Sequence, residues 1–353
     1  KTDAWTLSSV VENDTIHFSN KKSTKIGITK YASGTVITKK IKFPKLSNSD
    51  QMFLDLTTFS QGDAYDRTGS VFVILPKSNQ ITFLSALEKG IDQVPAYKNE
   101  YKGIVCTANY EPYIELMRFF TPFGVKKFNH IAIKDKNWEE QVYYRQEISE
   151  FNSLLSDNEV IIGTYIGNYD ANGHNVSLNI SIHKNMSANP GYNFVKPLFN
   201  TVNILEMAGQ GYPTLFKEEE GLKVTFELEE EVKNASLRYT TTGHGGWTTG
   251  DEFLKKKNSI FLNTTLIHEF IPWRVDCGSY RLYNPASGNF ANGLSSSDLS
   301  RANWCPGTIT QPNYIILGDL PKGKHTITIK IPQGEPEGSN LSFWNVSGVL
   351  LGN

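Results

Sequence analysis

The sequence predicts an all-β protein made of antiparallel sandwiches. Short runs of β-branched or alternating apolar and polar residues recur along most of the chain. Each run is bounded by Gly, Pro, Asn, Asp or Ser, residues that favour turns, and helical periodicity is scarce. Many short strands at such spacing are typical of β-sandwich folds.

The predicted strands share this pattern of a short run that ends at turn residues. In chain order they are 25–29, 34–41, 51–56, 70–75, 103–106, 113–121, 125–134, 160–165, 175–183, 200–206, 222–228, 235–241, 259–262, 266–271, 313–318, 323–329 and 343–349. Two segments, 83–91 and 147–155, carry a weak helical pattern and are predicted to form a turn or two of helix.

The chain is long enough for two domains with cores of their own. Its composition changes between His183 and Phe194, where the sequence reads KNMSANPGYN. We therefore predict an N-terminal domain of residues 1–185 and a C-terminal domain of residues 186–353, each sized for a sandwich or jelly roll. Residues 76–112 are irregular and polar, and we expect them to form an insertion between two strands.

The charge of the chain is almost balanced, with 35 Lys and Arg against 36 Asp and Glu. This balance argues against nucleic acid or an anionic membrane as the main partner, because both need a basic face. No apolar run is long enough to span a bilayer. The sequence begins at Lys1 without a methionine. A processed, exported protein and a shortened chain would both begin in this way.

Three cysteines are present. Cys277 and Cys305 lie in a loop-rich region and either form a disulfide or remain as two buried thiols. A disulfide that closes a loop of this size would contribute about 3–4 kcal/mol. Cys106 is expected to be a free, buried thiol.

The residues that could take part in catalysis lie in three short motifs. These are GDAYDR with Asp63, Asp66 and Arg67, GDEF with Asp251 and Glu252, and SRANWCPG with Arg301 and Trp304. Acids in glycine-rich loops usually bond their own backbone, so each acid taken alone is better explained as a turn residue. The last two motifs lie within a polar segment, Thr241 to Gly307, whose composition is typical of loops that carry functional sites.

Taken together and in this order, the three motifs resemble those of the bacterial peptide-N-glycosidase F family. The resemblance is strongest over residues 232–307. It implies two eight-stranded antiparallel jelly rolls packed side by side, with an active site in the cleft between them. The activity implied is that of an amidase which removes Asn-linked glycans from glycoproteins or glycopeptides, without a cofactor or metal ion.

Matched residue by residue, the resemblance implies catalytic roles for Asp66 and Glu252, with Arg67 and Arg301 as their cationic neighbours. Asp66 would be the base that activates water, and Glu252 would orient the amide or the water. Either arginine could support the developing oxyanion or hold an acid in place. The two later cysteines fall on the family's cysteine pair, which implies a disulfide between them.

A second set of residues is expected to bind the sugar. It consists of Tyr65, Trp304, Trp247, Tyr169, Asp170 and His244. Tyr65 stands where the family has a tryptophan before its catalytic Asp, while Tyr169 and Asp170 fall near the family's third acid and its neighbouring tryptophan. Core packing is the alternative for the two tryptophans, and a solvated loop position is the alternative for the histidine.

Three other functions remain open. A non-catalytic glycan-binding protein could use the same cleft and aromatic rings. A copper mono-oxygenase of similar architecture would need clustered His and Met ligands, whereas the histidines here are scattered along the chain. A glycosidase that cleaves the glycosidic bond is the third. For the amidase we expect a monomeric bacterial protein that is periplasmic, surface-attached or secreted.

Overall fold

The structure, a computed structural model, describes residues 4–6, 16–18, 27–76, 81–124, 130, 132–168, 173–186, 191–202, 204–205, 212–217, 220–245, 250–285, 295–335 and 342–353. About half of these residues lie in β-strands, and the predicted all-β class is confirmed. Each of the two segments with a helical pattern contains a short helix, α1 at Phe83–Lys89 and α2 at Asn152–Leu155.

The N-terminal half, up to residue 185, contains fourteen described strands, most of them short. They are β1 (Ala4–Thr6), β2 (Ile16–Phe18), β3 (Ile28–Tyr31), β4 (Val36–Lys42), β5 (Gln51–Ser60), β6 (Thr68–Ile74), β7 (Ile81–Thr82), β8 (Ala96–Tyr97), β9 (Tyr101–Lys102), β10 (Tyr110–Glu111), β11 (Ile114–Phe120), β12 (Gln141–Glu147), β13 (Glu159–Ile166) and β14 (His174–His183). Most of the strand predicted at 125–134 lies outside the described residues. The strand predicted at 103–106 is reduced to an isolated bridge, because only Val105 pairs there, with Phe199.

The C-terminal half contains nine described strands. They are β15 (Phe194–Asn200), β16 (Leu222–Leu228), β17 (Val232–His244), β18 (Asn258–Leu262), β19 (Thr265–Phe270), β20 (Ile309–Thr310), β21 (Asn313–Leu320), β22 (Gly323–Lys330) and β23 (Phe343–Gly352). The proposed domain boundary at 185/186 falls between β14 of the first sandwich and β15 of the second.

Two sheets face each other in each half. In the N-terminal half, one sheet has the order β1-β14-β5-β12 with β2 also on β14, and the other has the order β20-β11-β6-β13-β4-β3. In the C-terminal half the orders are β15-β23-β17-β21 and β16-β22-β18-β19. Apolar side chains of both sheets form one core in each half, which is what strict alternation of buried positions along β5 and β16 requires.

The segment predicted as an insertion, residues 76–112, connects β6 to β11, two strands that pair directly. Its described part contains α1, the β8–β9 hairpin and the short parallel pair of β7 and β10. Buried side chains of this segment pack with Val202 and Ile204 in a small third cluster. The long connection therefore covers one face of the sheet that contains β4, β6 and β13.

Two buried arginines join the halves, and each reaches into the half opposite its own. Arg118 of β11 is bound to Glu115 (2.7 Å) and donates to the backbone oxygen of Asn345 (2.5 Å) in β23. Arg238 of β17 donates to Glu150 (2.8 Å) and to the backbone oxygen of Glu115 (2.9 Å). Since a buried charge is costly without partners, these contacts fix the position of one half relative to the other.

The loop that carries the SRANWCPG motif also crosses between the halves. Strand β20 pairs with β11 of the N-terminal half, with Thr310 opposite Arg118. The backbone N–H of Gly307 donates to the oxygen of Phe120 (3.1 Å). This loop of the C-terminal half is therefore built onto the N-terminal sandwich.

Candidate active site

The motif GDAYDR forms the loop between β5 and β6. Asp63 is buried at its base and accepts hydrogen bonds from Nε (2.8 Å) and Nη2 (2.9 Å) of Arg67 and from the backbone N–H of Tyr65 (3.1 Å). The backbone of Arg67 is held in turn by Thr121, which follows β11. This bonding fixes the loop and leaves the side chain of Asp66 16% exposed.

The motif GDEF follows β17 in the C-terminal half. Asp251 is fully buried and accepts hydrogen bonds from the Trp344 indole N–H (2.7 Å) and the backbone N–H of Gly334 (3.0 Å). Asp251 therefore anchors the turn and has no contact with solvent. The next residue, Glu252, accepts a backbone hydrogen bond from Ala302 (2.9 Å), and its side chain is 19% exposed.

A disulfide and a backbone bridge fix the segment that carries Arg301. Cys277 and Cys305 are bonded, with their Cα atoms 5.1 Å apart, which confirms the predicted disulfide. Arg274 and Arg301 exchange two backbone hydrogen bonds, of 2.8 and 3.0 Å. Arg301 is thus held in a loop that a disulfide closes and whose backbone is pinned by Arg274.

Cys106 is the free, buried cysteine.

The guanidinium of Arg301 is enclosed by aromatic rings. It lies 4.4 Å from the centroid of Trp304 and 5.2 Å from that of Phe253, and its Nη2 donates to the backbone oxygen of Ser296. Its side chain is only 1% exposed. Stacking of this kind suits a planar guanidinium and holds its orientation.

One nitrogen of Arg301 joins the two acids. Its Nη1 donates to Oδ2 of Asp66 at 3.1 Å and to Oε1 of Glu252 at 2.7 Å. The acids belong to different halves and lie 186 positions apart (252 minus 66) in the sequence. The arginine is enclosed and the carboxyl groups are partly exposed, so a substrate would meet the carboxyl groups.

Burial changes the acidity of both carboxyl groups. It raises the pKa of Asp66, while the charge of Arg301 opposes that rise. It raises the pKa of Glu252 to about 7, again against Arg301 and with a further contribution from the Asp66 charge. Two interacting carboxyl groups titrate as a pair. Near neutral pH this pair therefore includes a form with one proton, which suits acid and base chemistry.

The sequence matches two family profiles that together cover most of the chain. The profile described as Peptide-N-glycosidase F, N terminal, matches residues 8–182, and the one described as Peptide-N-glycosidase F, C terminal, matches residues 211–351. The chain belongs to the peptide-N-glycosidase F family. No curated protein sequence matches it.

Solved structures of the family resemble the chain over its full length. Structures of PNGF-II in the C2 and P21 space groups are 54% identical with a TM-score of 0.92, and they cover 100% and 99% of this chain. The chain spans 65% of the length of PNGF-II. Recombinant PNGase F is 17% identical with a TM-score of 0.64, covering 99% of this chain and 96% of its own. PNGase F from Flavobacterium meningosepticum, described as a glycosylasparaginase, is 17% identical with a TM-score of 0.61, covering 100% and 96%. The PNGase F structures show a shared fold.

Of the two predicted arginines, Arg67 binds Asp63, and its charge also lowers the pKa of Asp66. Its guanidinium binds Asp63 with two hydrogen bonds and lies 5.1 Å from the ring centroid of Tyr65. Sequence alone left open which arginine holds the acids, and the geometry brings Arg301 to both. Arg67 instead supports the loop on which Asp66 is carried.

Two of the expected sugar-binding residues are buried. Trp304 is 3% exposed, with its indole N–H bound to the backbone oxygen of Gly243 (2.9 Å), so its ring has almost no surface for a sugar. His244 is 5% exposed and bonds to Thr242 (2.8 Å). Burial lowers its pKa well below the usual value, and the charges of Arg118 and Arg301 add to this. Both residues therefore pack beneath the site, in place of the expected contact with substrate.

The other expected sugar-binding residues differ in what the structure describes. Tyr65 is 57% exposed, and its ring contacts Phe123 edge-on at 5.8 Å. Trp247, Tyr169 and Asp170 lie outside the described residues. Tyr65 is thus an exposed aromatic ring next to Asp66 in the sequence, as a sugar platform requires.

Sequence reasoning missed the residues that surround Arg301 and join the halves. Phe253, the last residue of the GDEF motif, and Ser296 hold its guanidinium, but neither residue type signals that role. One of the two arginines that join the halves did carry a signal, because Arg118 stands inside the apolar strand IELMRFF. A charge within such a run indicates a buried ion pair.

The described part of the chain has no helix that is long and apolar enough to cross a membrane. Among the same residues, no group of three or more His, Cys, Asp or Glu side chains is arranged to hold a metal ion.

Proposed function

We propose that the protein is an amidase that hydrolyses the bond between an asparagine side chain and its N-linked glycan. The observation that supports this most directly is the pair of carboxyl groups, one from each half, on a single nitrogen of Arg301. Membership of the peptide-N-glycosidase F family supports the same reaction.

The reaction needs a base for water and a proton for the leaving nitrogen. In our proposal Asp66 accepts a proton as the oxygen of water bonds to the amide carbon. The carbon–nitrogen bond then breaks, and protonated Glu252 gives its proton to the departing nitrogen. The products are an aspartate side chain and a glycosylamine. Since the pKa of Glu252 is about 7, this proton is available near neutral pH.

Arg301 has a positioning role in this mechanism. It contacts both acids through Nη1 and is held by Trp304 on its other side. Its charge lowers the pKa of Asp66, against the larger rise that burial causes, and so favours the ionised form that a base needs. Because the guanidinium is enclosed by protein, binding of substrate does not displace it.

Tyr65 is the residue we propose for contact with the sugar. Tyr65 is 57% exposed, and it directly precedes Asp66 in the sequence. The hydrophobic face of an N-acetylglucosamine residue fits an exposed aromatic ring of this kind. Trp247, Tyr169 and Asp170 remain candidates from the family resemblance.

The proposal is tested by incubating the protein with an N-glycopeptide and analysing the peptide by mass spectrometry. An amidase leaves Asp in place of Asn and releases the whole glycan, whereas a glycosidase leaves a sugar on Asn. A non-catalytic glycan-binding protein leaves the glycopeptide unchanged. Asp66→Asn should abolish release while circular dichroism stays the same, and Asp157→Asn, in an exposed turn, serves as the control. Release by Asp66→Asn at the wild-type rate would refute the role of Asp66 as base.

The expected substrates are N-glycosylated proteins or peptides, and the expected location is outside the cytoplasm. The Cys277–Cys305 disulfide supports an oxidising compartment. The location is tested by producing the chain in the cytosol and in the periplasm. The fraction of the Cys277–Cys305 bond that is reduced is then compared between the two extracts.

A further inference from the structure

Two clefts form a continuous groove along the contact between the halves. Their volumes are about 570 and 710 Å³, and both are lined by Gln311 and Pro312. Together they contact every residue of 143–147 on one side and of 307–314 on the other. We call this the seam groove. It does not include either of the two acids among its lining residues.

The seam groove exposes the edge of a strand as well as its face. Consecutive strand residues point to opposite faces of a sheet. Tyr143 is 72% exposed and Tyr144 is 3% exposed, yet both line the groove. A groove that contacts both must follow the strand edge. Within the described residues, β12 and β20 are indeed the outermost strands of the two N-terminal sheets.

Strand β12 lacks two of the features that usually block pairing at an edge, a proline and a bulge. Proteins protect such edges with prolines, bulges, charges or covering segments. The register of β12 against β5 is uninterrupted from Gln141 to Glu147, without a bulge, and the strand has no proline. The one cationic side chain, Arg145, is bound to Asp55 at 2.8 Å. The edge therefore offers a regular row of backbone groups to an extended peptide.

The seam groove also borders the loop that carries Arg301. Arg274 lines it, and this residue exchanges two backbone hydrogen bonds with Arg301, of 2.8 and 3.0 Å. Trp273 and Tyr280, on the same wall, provide aromatic surface for side chains. A chain lying in the groove would thus run beside the loop that carries the arginine of the site.

We propose that the seam groove binds the polypeptide of the substrate in an extended conformation, as an added strand on β12. The identification of this polypeptide as a glycoprotein substrate rests on the proposed amidase function. The seven residues of β12 accommodate an extended segment of about 20 Å. Recognition through backbone groups tolerates varied sequences, as an enzyme that acts on many glycoproteins would require.

The experiment compares one glycan on a short peptide and on a long peptide that extends on both sides of the glycosylated Asn. Binding is measured with the Asp66→Asn variant, so that no turnover occurs. The long peptide without its glycan is a third ligand. We expect the long glycopeptide to bind about tenfold more tightly than the short one, since several backbone hydrogen bonds are added. Alternate backbone nitrogens of an added strand point towards β12, so two peptides are made, each N-methylated at one of the two alternating sets of nitrogens. One of these two peptides should lose the advantage, whereas a peptide with shuffled side chains should keep it.

Two variants, each made in the Asp66→Asn background, locate the effect. Tyr143→Ala should weaken binding of the long peptide several-fold and leave the short glycopeptide unchanged. Ile316→Ala is the matched control, because Ile316 is 82% exposed and lies outside both clefts, and it should change neither. Equal affinity for long and short glycopeptides would overturn the proposal, as would full binding of both N-methylated peptides. Competition by free glycan, with no binding of the bare peptide, would show an oligosaccharide site instead.

The two proposals fail separately in this design. Release from the short glycopeptide by the wild-type protein tests the amidase alone. Binding of the bare long peptide, and its several-fold weakening in Tyr143→Ala, tests the groove alone, because neither measurement requires turnover.

Discussion

Replacing Glu252 with Gln should stabilise the protein at alkaline pH while removing its activity. In the folded protein the pKa of Glu252 is raised from 4.5 to about 7. Each pKa unit corresponds to about 1.4 kcal/mol, so keeping this group ionised in the fold costs up to about 3 kcal/mol. Its side chain is 19% exposed, and water reduces the cost, so we expect a gain of about 1–3 kcal/mol in the variant.

The effect has a defined pH window. The folded protein binds the proton of Glu252 more tightly than the unfolded chain does. Stability from this group is therefore complete below pH 4.5, falls as the pH rises, and is lost above pH 7. Glu252→Gln has no proton to lose but keeps an oxygen that can accept from Arg301. The variant and the wild-type protein should therefore differ most at about pH 8 and least at about pH 4.5.

Urea unfolding at both pH values measures this difference as the free energy of unfolding. Glu269→Gln is the control, because the pKa of Glu269 is lowered by hydrogen bonds from Lys257 and Ser259. That variant should not be more stable than the wild-type protein at pH 8. If Glu252→Gln is no more stable than the wild-type protein at pH 8, the carboxyl group is not destabilised by burial and the reasoning is wrong.

Two other predictions concern the support of the site. Arg301→Lys should lower kcat/KM on an N-glycopeptide by roughly 100-fold or more, because an ammonium group cannot both stack on Trp304 and bridge two carboxyl groups; activity within a few-fold of the wild-type value would contradict this. Replacing Cys277 and Cys305 together with Ser should lower the free energy of unfolding in urea by about 3–4 kcal/mol, and an unchanged midpoint and slope would contradict it.

The architecture followed from the sequence because strand periodicity is a local property. The alternation of β5 and β16 is visible in the chain itself, as is the weak helical pattern at α1. The groups Asp66, Glu252 and Arg301 could be selected by motif, yet their meeting at one nitrogen depends on how the two halves pack. Nothing local in the chain determines that packing.

The roles of the aromatic and cationic neighbours were harder to predict for the same reason. His244 and Trp304 were expected to contact the sugar, with a solvated loop position and core packing as their alternatives, but they are covered by Phe343 and Phe120, which come from distant strands. Arg67 is next to Asp66 in the sequence, yet its partner is Asp63. The carboxyl group that an arginine binds depends on the direction in which its side chain points. The order of residues in the sequence does not specify that direction.

The position of the two acids has a consequence for how this family can change over time. Each half supplies one carboxyl group, so neither half by itself contains a complete pair. A gene that exchanged only one half with a relative would place a foreign surface against Arg118 and Arg238, and the two acids would lose their common alignment. Recombination should therefore preserve both halves together, and substitutions at the contact surface in one half should be matched by substitutions in the other.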